Sequence, residues 1–110
     1  RYLYNGRTRS WAEAYGFDFN SVAKYDLETG TEVEHVYGDT EVSGEHVFAP
    51  DPDGTAEDDG WLLGFVTDQA TDETDLVVLD ARDVAGDPVA RVRLPRRVPA
   101  GFHANWFSET

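Results

Sequence analysis

The feature that most constrains this chain is a succession of short apolar stretches with a two-residue period, separated by turns rich in Gly, Pro and Asp. These stretches are residues 17–25, 31–37, 45–48, 61–67, 76–80 and 89–94. Helical spacing is nearly absent, since only residues 11–15 could form a helical turn before Gly16 ends it. The pattern predicts an all-β fold of antiparallel strands joined by meander turns.

Two of the predicted hairpins resemble each other. In each, an Asp at the end of an apolar strand precedes a loop that contains Gly, and the returning strand has two Val three positions apart. The two aspartates, Asp26 and Asp80, are 54 positions apart, close to the period of roughly 40–50 residues of β-propeller blades. The repeat favours four-stranded blades that stack on their neighbours.

The chain begins at Arg1 inside a strand-like stretch and contains no Met. We expect residues 1–110 to be the C-terminal fragment of a single β-propeller domain, about two blades of it at four strands a blade. The rest of the propeller is then expected upstream. No apolar run approaches the roughly 20 residues that cross a bilayer as a helix.

Composition narrows the classes of function. The net charge is −13, from 22 acidic and 9 basic residues, and such a surface repels nucleic-acid backbones and anionic lipids. The sequence contains no Cys, which excludes Cys-ligated zinc, iron–sulfur clusters and thiol catalysis within this stretch. An acidic, Lys-poor surface of this kind is also typical of salt-adapted proteins.

The three histidines are the candidate metal ligands, because neutral imidazole suits several transition metals. His35 follows acidic residues on an alternating strand, which predicts a solvated side chain. His46 begins a short strand, where a structural role is favoured over ligation. His103 lies near Gly101 among aromatic residues, so it is either a core residue or a ligand. Glu45 is expected to be exposed unless it orients a metal-bound imidazole.

Two charged clusters have simpler interpretations. The acidic loop, residues 51–60, departs from the twelve-residue calcium loop and has no flanking helices, so a solvated turn is favoured over a calcium site. Pro50, Pro52 and Gly54 argue against regular structure there. Arg91 and Arg93 alternate on one strand face, where pairing with acidic residues is expected rather than phosphate binding.

Five stretches carry a family resemblance. They are residues 45–50, 57–63, 76–81, 89–92 and 94–103. In this order and spacing they resemble the C-terminal end of the carotenoid cleavage oxygenase family, which includes carotenoid and apocarotenoid cleavage enzymes, lignostilbene dioxygenases and the retinal pigment epithelium isomerohydrolase. The most specific pieces are the strand that begins with Gly60 and Trp61 after an acidic run, and the later Phe102-His103 pair.

The resemblance implies a seven-bladed β-propeller with iron(II) on its axis, held by four His from separate blades. Phe102-His103 matches the pattern of the last ligand, which makes His103 the metal ligand of this chain. Glu45 matches a carboxylate that hydrogen-bonds such a ligand, so Glu45 is expected to orient His103. The other two histidines do not match ligand positions of the family.

The function implied by the resemblance is an iron(II)-dependent dioxygenase that cleaves a conjugated carbon–carbon double bond of a carotenoid, apocarotenoid or stilbene-type substrate with O₂. Phe102, Trp106 and Phe107 would then line the substrate tunnel, unless they are ordinary core aromatics. We expect a cytoplasmic protein that contacts membranes peripherally through upstream regions.

The alternative is a non-catalytic β-propeller that binds partners or serves as a scaffold, with His103 as a core residue. A family member without activity is a third interpretation.

Overall fold

The computed structural model describes residues 1–7, 19–99 and 104–108. Its eight strands are β1 Tyr2–Arg7, β2 Ser21–Asp26, β3 Thr31–Val36, β4 Glu41–Ser43, β5 Val47–Pro50, β6 Gly60–Asp68, β7 Glu73–Asp80 and β8 Ala90–Arg93. They form two sheets, one ordered β1-β2-β3 and one ordered β4-β6-β7-β8 with β5 also paired to β6. All pairings are antiparallel, so the predicted all-β class is confirmed.

The two similar hairpins share their turn geometry. The Asp26 carboxylate accepts the backbone N–H of Glu28 at 3.0 Å, and the Asp80 carboxylate accepts that of Arg82 at 2.9 Å. An Asp that bonds the backbone two residues ahead closes the chain into a turn. In the first hairpin Gly30 then adopts a φ of 71°, a conformation that glycine reaches without steric penalty.

Strand boundaries differ from the prediction at several points. β4 was not predicted, and β7 begins at Glu73 rather than at residue 76. Side-chain partners explain the longer β7, because Thr74 is fully buried and its hydroxyl bonds Thr67 at 2.9 Å. Pro50 was assigned to the loop but ends β5, which an edge strand tolerates. The helical turn considered at residues 11–15 lies outside the described residues.

The hydrophobic core lies between the two sheets. Its buried cluster consists of Val22, Tyr37, Leu62, Val66, Val77, Leu79, Ala81 and Val84. The continuous apolar run of residues 61–67 predicts a strand buried on both faces, which is wrong for this chain, since Phe65 is 45% exposed. One face of β6 packs in the core, and the other has no comparable cover from the described residues.

A buried lysine joins the sheets as well. Lys24 of β2 is only 7% exposed, and its ammonium group donates to the Asp58 carboxylate at 2.8 Å and to the Ala81 carbonyl at 2.7 Å. It also lies 4.3 Å from the ring centroid of Tyr2. This polar contact connects the first sheet to two loops of the second.

No helix among the described residues has the length and apolarity needed to cross a membrane.

Candidate metal centre

A β-bulge interrupts the edge of the second sheet where Glu45 lies. Ser43 of β4 pairs with Val66, and Val47 of β5 pairs with Leu63. Three residues, 44–46, therefore face two residues of β6, 64 and 65. One extra residue on one strand is the definition of a bulge, and such bulges redirect side chains near functional sites. The sequence did not reveal this bulge, because β4 and β5 are only three and four residues long, too short for a shift in alternation to be recognised.

Glu45 reaches the C-terminal segment from this bulge. One oxygen of its carboxylate accepts the backbone N–H of Ala104 at 3.0 Å. Ala104 directly follows His103, the predicted metal ligand, which itself lies outside the described residues. The structure thus brings the Glu45 carboxylate to the residue next to His103, although 59 positions separate Glu45 and Ala104 in the sequence.

His46 follows Glu45 and is buried, with 8% of its surface exposed. Its Nδ1 lies 3.2 Å from the Gly44 carbonyl, and its Nε2 lies 2.7 Å from the Tyr37 hydroxyl. Because a carbonyl only accepts, Nδ1 carries the proton and Nε2 accepts from the tyrosine. Burial lowers the pKa of His46 to about 4, so the ring is neutral near pH 7. Both ring nitrogens bond protein atoms, which confirms the structural interpretation of His46.

Gly64 of β6 makes room for this imidazole. A Cβ at that position would lie 2.7 Å from His46 Nε2 and 2.8 Å from two ring carbons. Contacts this short are not tolerated by packed side chains, so the ring lies directly against the glycine backbone. A glycine inside an apolar strand is the sequence signal that could have indicated this close approach.

Tyr37 and His35 complete a small cluster around His46. Tyr37 is 3% exposed, and burial raises the pKa of its hydroxyl well above the ordinary value, so it stays a hydrogen-bond donor. His35 packs edge-on against the Tyr37 ring, with centroids 4.9 Å apart, and its Nδ1 lies 2.9 Å from the Val84 carbonyl. The prediction of a solvated His35 was wrong, because the loop that carries Val84 folds over it.

The two charged clusters form contacts within the fold, and the predicted pairing of Arg91 and Arg93 with acidic residues is confirmed. In the acidic loop the Asp59 carboxylate accepts the backbone N–H of Thr55 and of Ala56 at 2.9 and 2.8 Å. In β8, Arg91 pairs with Glu41 at 2.6 Å and with Asp75 at 3.0 Å. Arg93, on the same strand face, also pairs with Asp75. These groups are engaged within the fold.

Metal-binding groups are sparse in the part of the chain that the structure describes. No three His, Cys, Asp or Glu side chains there are close enough together to hold a metal ion. Trp106 and Phe107, predicted to line a tunnel or to lie in the core, are 46% and 83% exposed in this chain. Among the described residues, the core interpretation of these two aromatics therefore does not hold, and Phe102 lies outside the described residues.

Comparisons with known proteins agree over nearly the whole chain. The model of the retinal pigment epithelial membrane protein family matches residues 1–108. The chain is 40% identical over 109 residues to 9-cis-epoxycarotenoid dioxygenase NCED6, chloroplastic, of Arabidopsis thaliana, covering 99% of this chain and 18% of that protein. It is 37% identical over 93 residues to lignostilbene-alpha,beta-dioxygenase isozyme III of Sphingomonas paucimobilis, covering 84% and 19%.

Solved structures show the same similarity. The cobalt-substituted apocarotenoid oxygenase of Synechocystis superposes with a TM-score of 0.88 at 33% identity, over 99% of this chain and 22% of that one. The two sheets thus correspond to part of a β-propeller, as predicted, and the chain spans about a fifth of the length of the proteins it matches. A match of this extent shows that the chain belongs to the carotenoid cleavage oxygenase family, the family of the retinal pigment epithelial membrane protein.

Proposed function

We propose that the longer protein to which this chain belongs is an iron(II)-dependent dioxygenase. Its substrate would be a carotenoid, an apocarotenoid or a stilbene-type compound with a conjugated double bond. The reaction consumes O₂, breaks the carbon–carbon double bond and the O–O bond, and forms two carbonyl groups, one on each product. Both oxygen atoms enter the products, so no external reductant is needed.

The observation that carries the proposal is the bond from the Glu45 carboxylate to the N–H of Ala104, next to His103. A carboxylate at this place can also accept the free ring N–H of a metal-bound imidazole, which sets its tautomer and orientation. The named relatives support the chemistry, since they are an epoxycarotenoid dioxygenase and a lignostilbene dioxygenase.

The residues present fit one quarter of a four-histidine iron site. His103 would supply one neutral imidazole, and Glu45 would hold that ring and partly balance the charge of the metal. The remaining three ligands would come from upstream blades. Iron(II) held there would supply the activation of O₂.

The decisive experiment is iron analysis of the full-length protein and of its His103→Ala variant. We expect about one iron per wild-type chain, and loss of both iron and alkene cleavage in the variant, because the all-imidazole site would lose a ligand. Products formed under ¹⁸O₂ should carry label in both carbonyl groups. Asn105→Ala, a change in the same segment, should retain iron.

The competing scaffold interpretation predicts a different result. If His103 is only a core residue, the full-length wild type contains no stoichiometric iron, or His103→Ala leaves the iron content unchanged in a folded protein. Either outcome would exclude the proposed ligand role.

Glu45→Gln tests the orienting carboxylate. The amide keeps the shape but accepts a hydrogen bond less strongly, so we expect iron affinity or activity to fall about 10–100-fold. Glu32→Gln, a matched change on the exposed edge of β3, should have no such effect. Equal behaviour of the two variants would argue against the role of Glu45.

The location of the protein stays a prediction. A cytoplasmic enzyme with apolar substrates would contact membranes through upstream blades, since this chain has a net charge of −13 that disfavours anionic lipid surfaces. Fractionation of cells that express the full-length protein tests this directly. Recovery in a compartment other than the cytoplasm and the membrane surface that faces it would contradict the prediction.

A further inference from the structure

The bulge that carries Glu45 interrupts the regular register between the edge strands and β6. Around it, Ser43 and Val47 are in register with β6, but the three residues between them are not matched one to one. The Gly44 N–H still bonds the Phe65 carbonyl at 3.2 Å. A bulge disrupts the ladder locally, so contacts outside the ladder contribute to the direction of its side chains.

The His46 imidazole stabilises the backbone on the C-terminal side of Glu45. Its Nδ1–H returns to the Gly44 carbonyl at 3.2 Å, which ties together the two residues that flank Glu45. Gly64 lies directly under the ring and confines it on the β6 side. The backbone of Glu45 is therefore held by one ring on its C-terminal side and by a bond to β6 on its N-terminal side.

Tyr37 in turn anchors the imidazole to the first sheet. Its hydroxyl donates to His46 Nε2 at 2.7 Å, and its backbone N–H bonds the Asn20 carbonyl at 2.9 Å. The Tyr37 ring belongs to the buried core cluster together with Val22 of β2. The contact is thus a rigid connection from the first sheet to the bulge of the second.

From these contacts we infer that Tyr37 and His46 are positioning residues that act through Glu45 on the metal-ligand segment. The inference rests on the proposed function, in which Glu45 orients His103. The Tyr37–His46 bond sets where the Glu45 carboxylate stands, and this carboxylate holds the chain at Ala104. Loss of the tyrosine hydroxyl leaves His46 Nε2 without its donor and releases the bulge.

The test compares Tyr37→Phe with Tyr4→Phe in the full-length protein. Both changes remove one buried hydroxyl and keep the ring, but the Tyr4 hydroxyl has no hydrogen-bond partner among the described residues. Iron(II) affinity of the folded apoprotein is measured by competition with a chelator, and folding is monitored by circular dichroism. We expect about a tenfold loss of affinity for Tyr37→Phe, within the range known for groups that orient metal ligands, and no change for Tyr4→Phe.

A double-mutant cycle separates positioning from a general structural role. If Tyr37 acts through Glu45, adding Tyr37→Phe to Glu45→Gln should lower iron affinity less than twofold further, because the carboxylate it positions is already gone. A merely structural role predicts equal losses in both backgrounds, and that result would overturn the inference. Gly64→Ala, which displaces the His46 ring, should show the same dependence on Glu45.

The outcomes also distinguish the two proposals. Absence of iron from the full-length wild type overturns the proposed function and the inference with it. Iron binding that is weakened by Glu45→Gln but unaffected by Tyr37→Phe overturns the inference alone and leaves the proposed function standing.

Discussion

His46 shows how burial and two hydrogen bonds set the state of a single side chain. Its surface is 8% exposed, and its ring nitrogens contact the Gly44 carbonyl and the Tyr37 hydroxyl. Protonation would place a second N–H against the tyrosine oxygen and would bury a charge, which is unfavourable in the interior. The ring is therefore a neutral structural element, although its neighbour Glu45 faces the proposed metal site.

At the residue scale we predict that acid weakens the fold through His46. Its pKa falls from 6.5 to about 4 on folding, so between these pH values the unfolded chain binds a proton that the folded chain does not. The free energy of unfolding should therefore be undiminished above pH 6.5 and fall as the pH drops toward 4, by up to about 3 kcal/mol.

Chemical denaturation at several pH values measures this slope. His46→Gln should flatten it between pH 6.5 and 4, whereas depressed carboxyl pKa values such as that of Asp26 act at lower pH. Identical slopes in the two proteins would show that His46 is protonated in the folded state.

At the element scale, the bulge and β6 form one structural unit. The two short strands β4 and β5 both pair with β6, and the interruption between them turns residues 44–46 out of register. β6 accommodates the His46 ring only because Gly64 has no side chain. The bulge position could not be predicted from the sequence, since a one-residue shift in alternation is not recognisable in strands of three and four residues.

We predict that Gly64→Ala destabilises the protein by about 1–3 kcal/mol, the usual effect of overpacking a core. The added Cβ would lie 2.7 Å from the His46 ring. Gly44→Ala is the matched control, because no atom lies within 4 Å of a Cβ there. Urea unfolding measures both, and equal stability losses would mean that the His46 contact is not what Gly64 preserves.

At the scale of the whole molecule, Lys24 joins the sheets by a buried ion pair. Its ammonium group bonds the Asp58 carboxylate and the Ala81 carbonyl. Removing one partner of a buried pair typically costs 3–5 kcal/mol, and since Asp58 keeps some exposure we expect about 2 kcal/mol for Lys24→Met. Arg7→Met removes exposed pairs and should cost less than about 1 kcal/mol in the same unfolding measurement.

A second prediction at this scale concerns metal content. Residues 1–110 expressed alone should bind no stoichiometric iron, because His103 would be only one of the four ligands of the proposed site. Tight one-to-one binding by the isolated chain, detected by metal analysis after gel filtration, would contradict the distribution of ligands proposed here.

The sequence by itself determined the all-β class, the repeated Asp-turn hairpins, the family and the candidate pair Glu45 and His103. These follow from local periodicity, turn chemistry and ordered motifs, which are properties of neighbouring residues. The Arg91 ion pairs were also predictable, since alternation fixes which side of a strand a residue faces.

Only the tertiary structure decided the rest. It brought Glu45 to Ala104 across 59 positions, placed the Val84 carbonyl against a partly buried His35, and linked Tyr37 to His46. The physical reason is that these contacts depend on how two sheets pack and on one extra residue in a strand. Neither property appears in the spacing of residues along the chain.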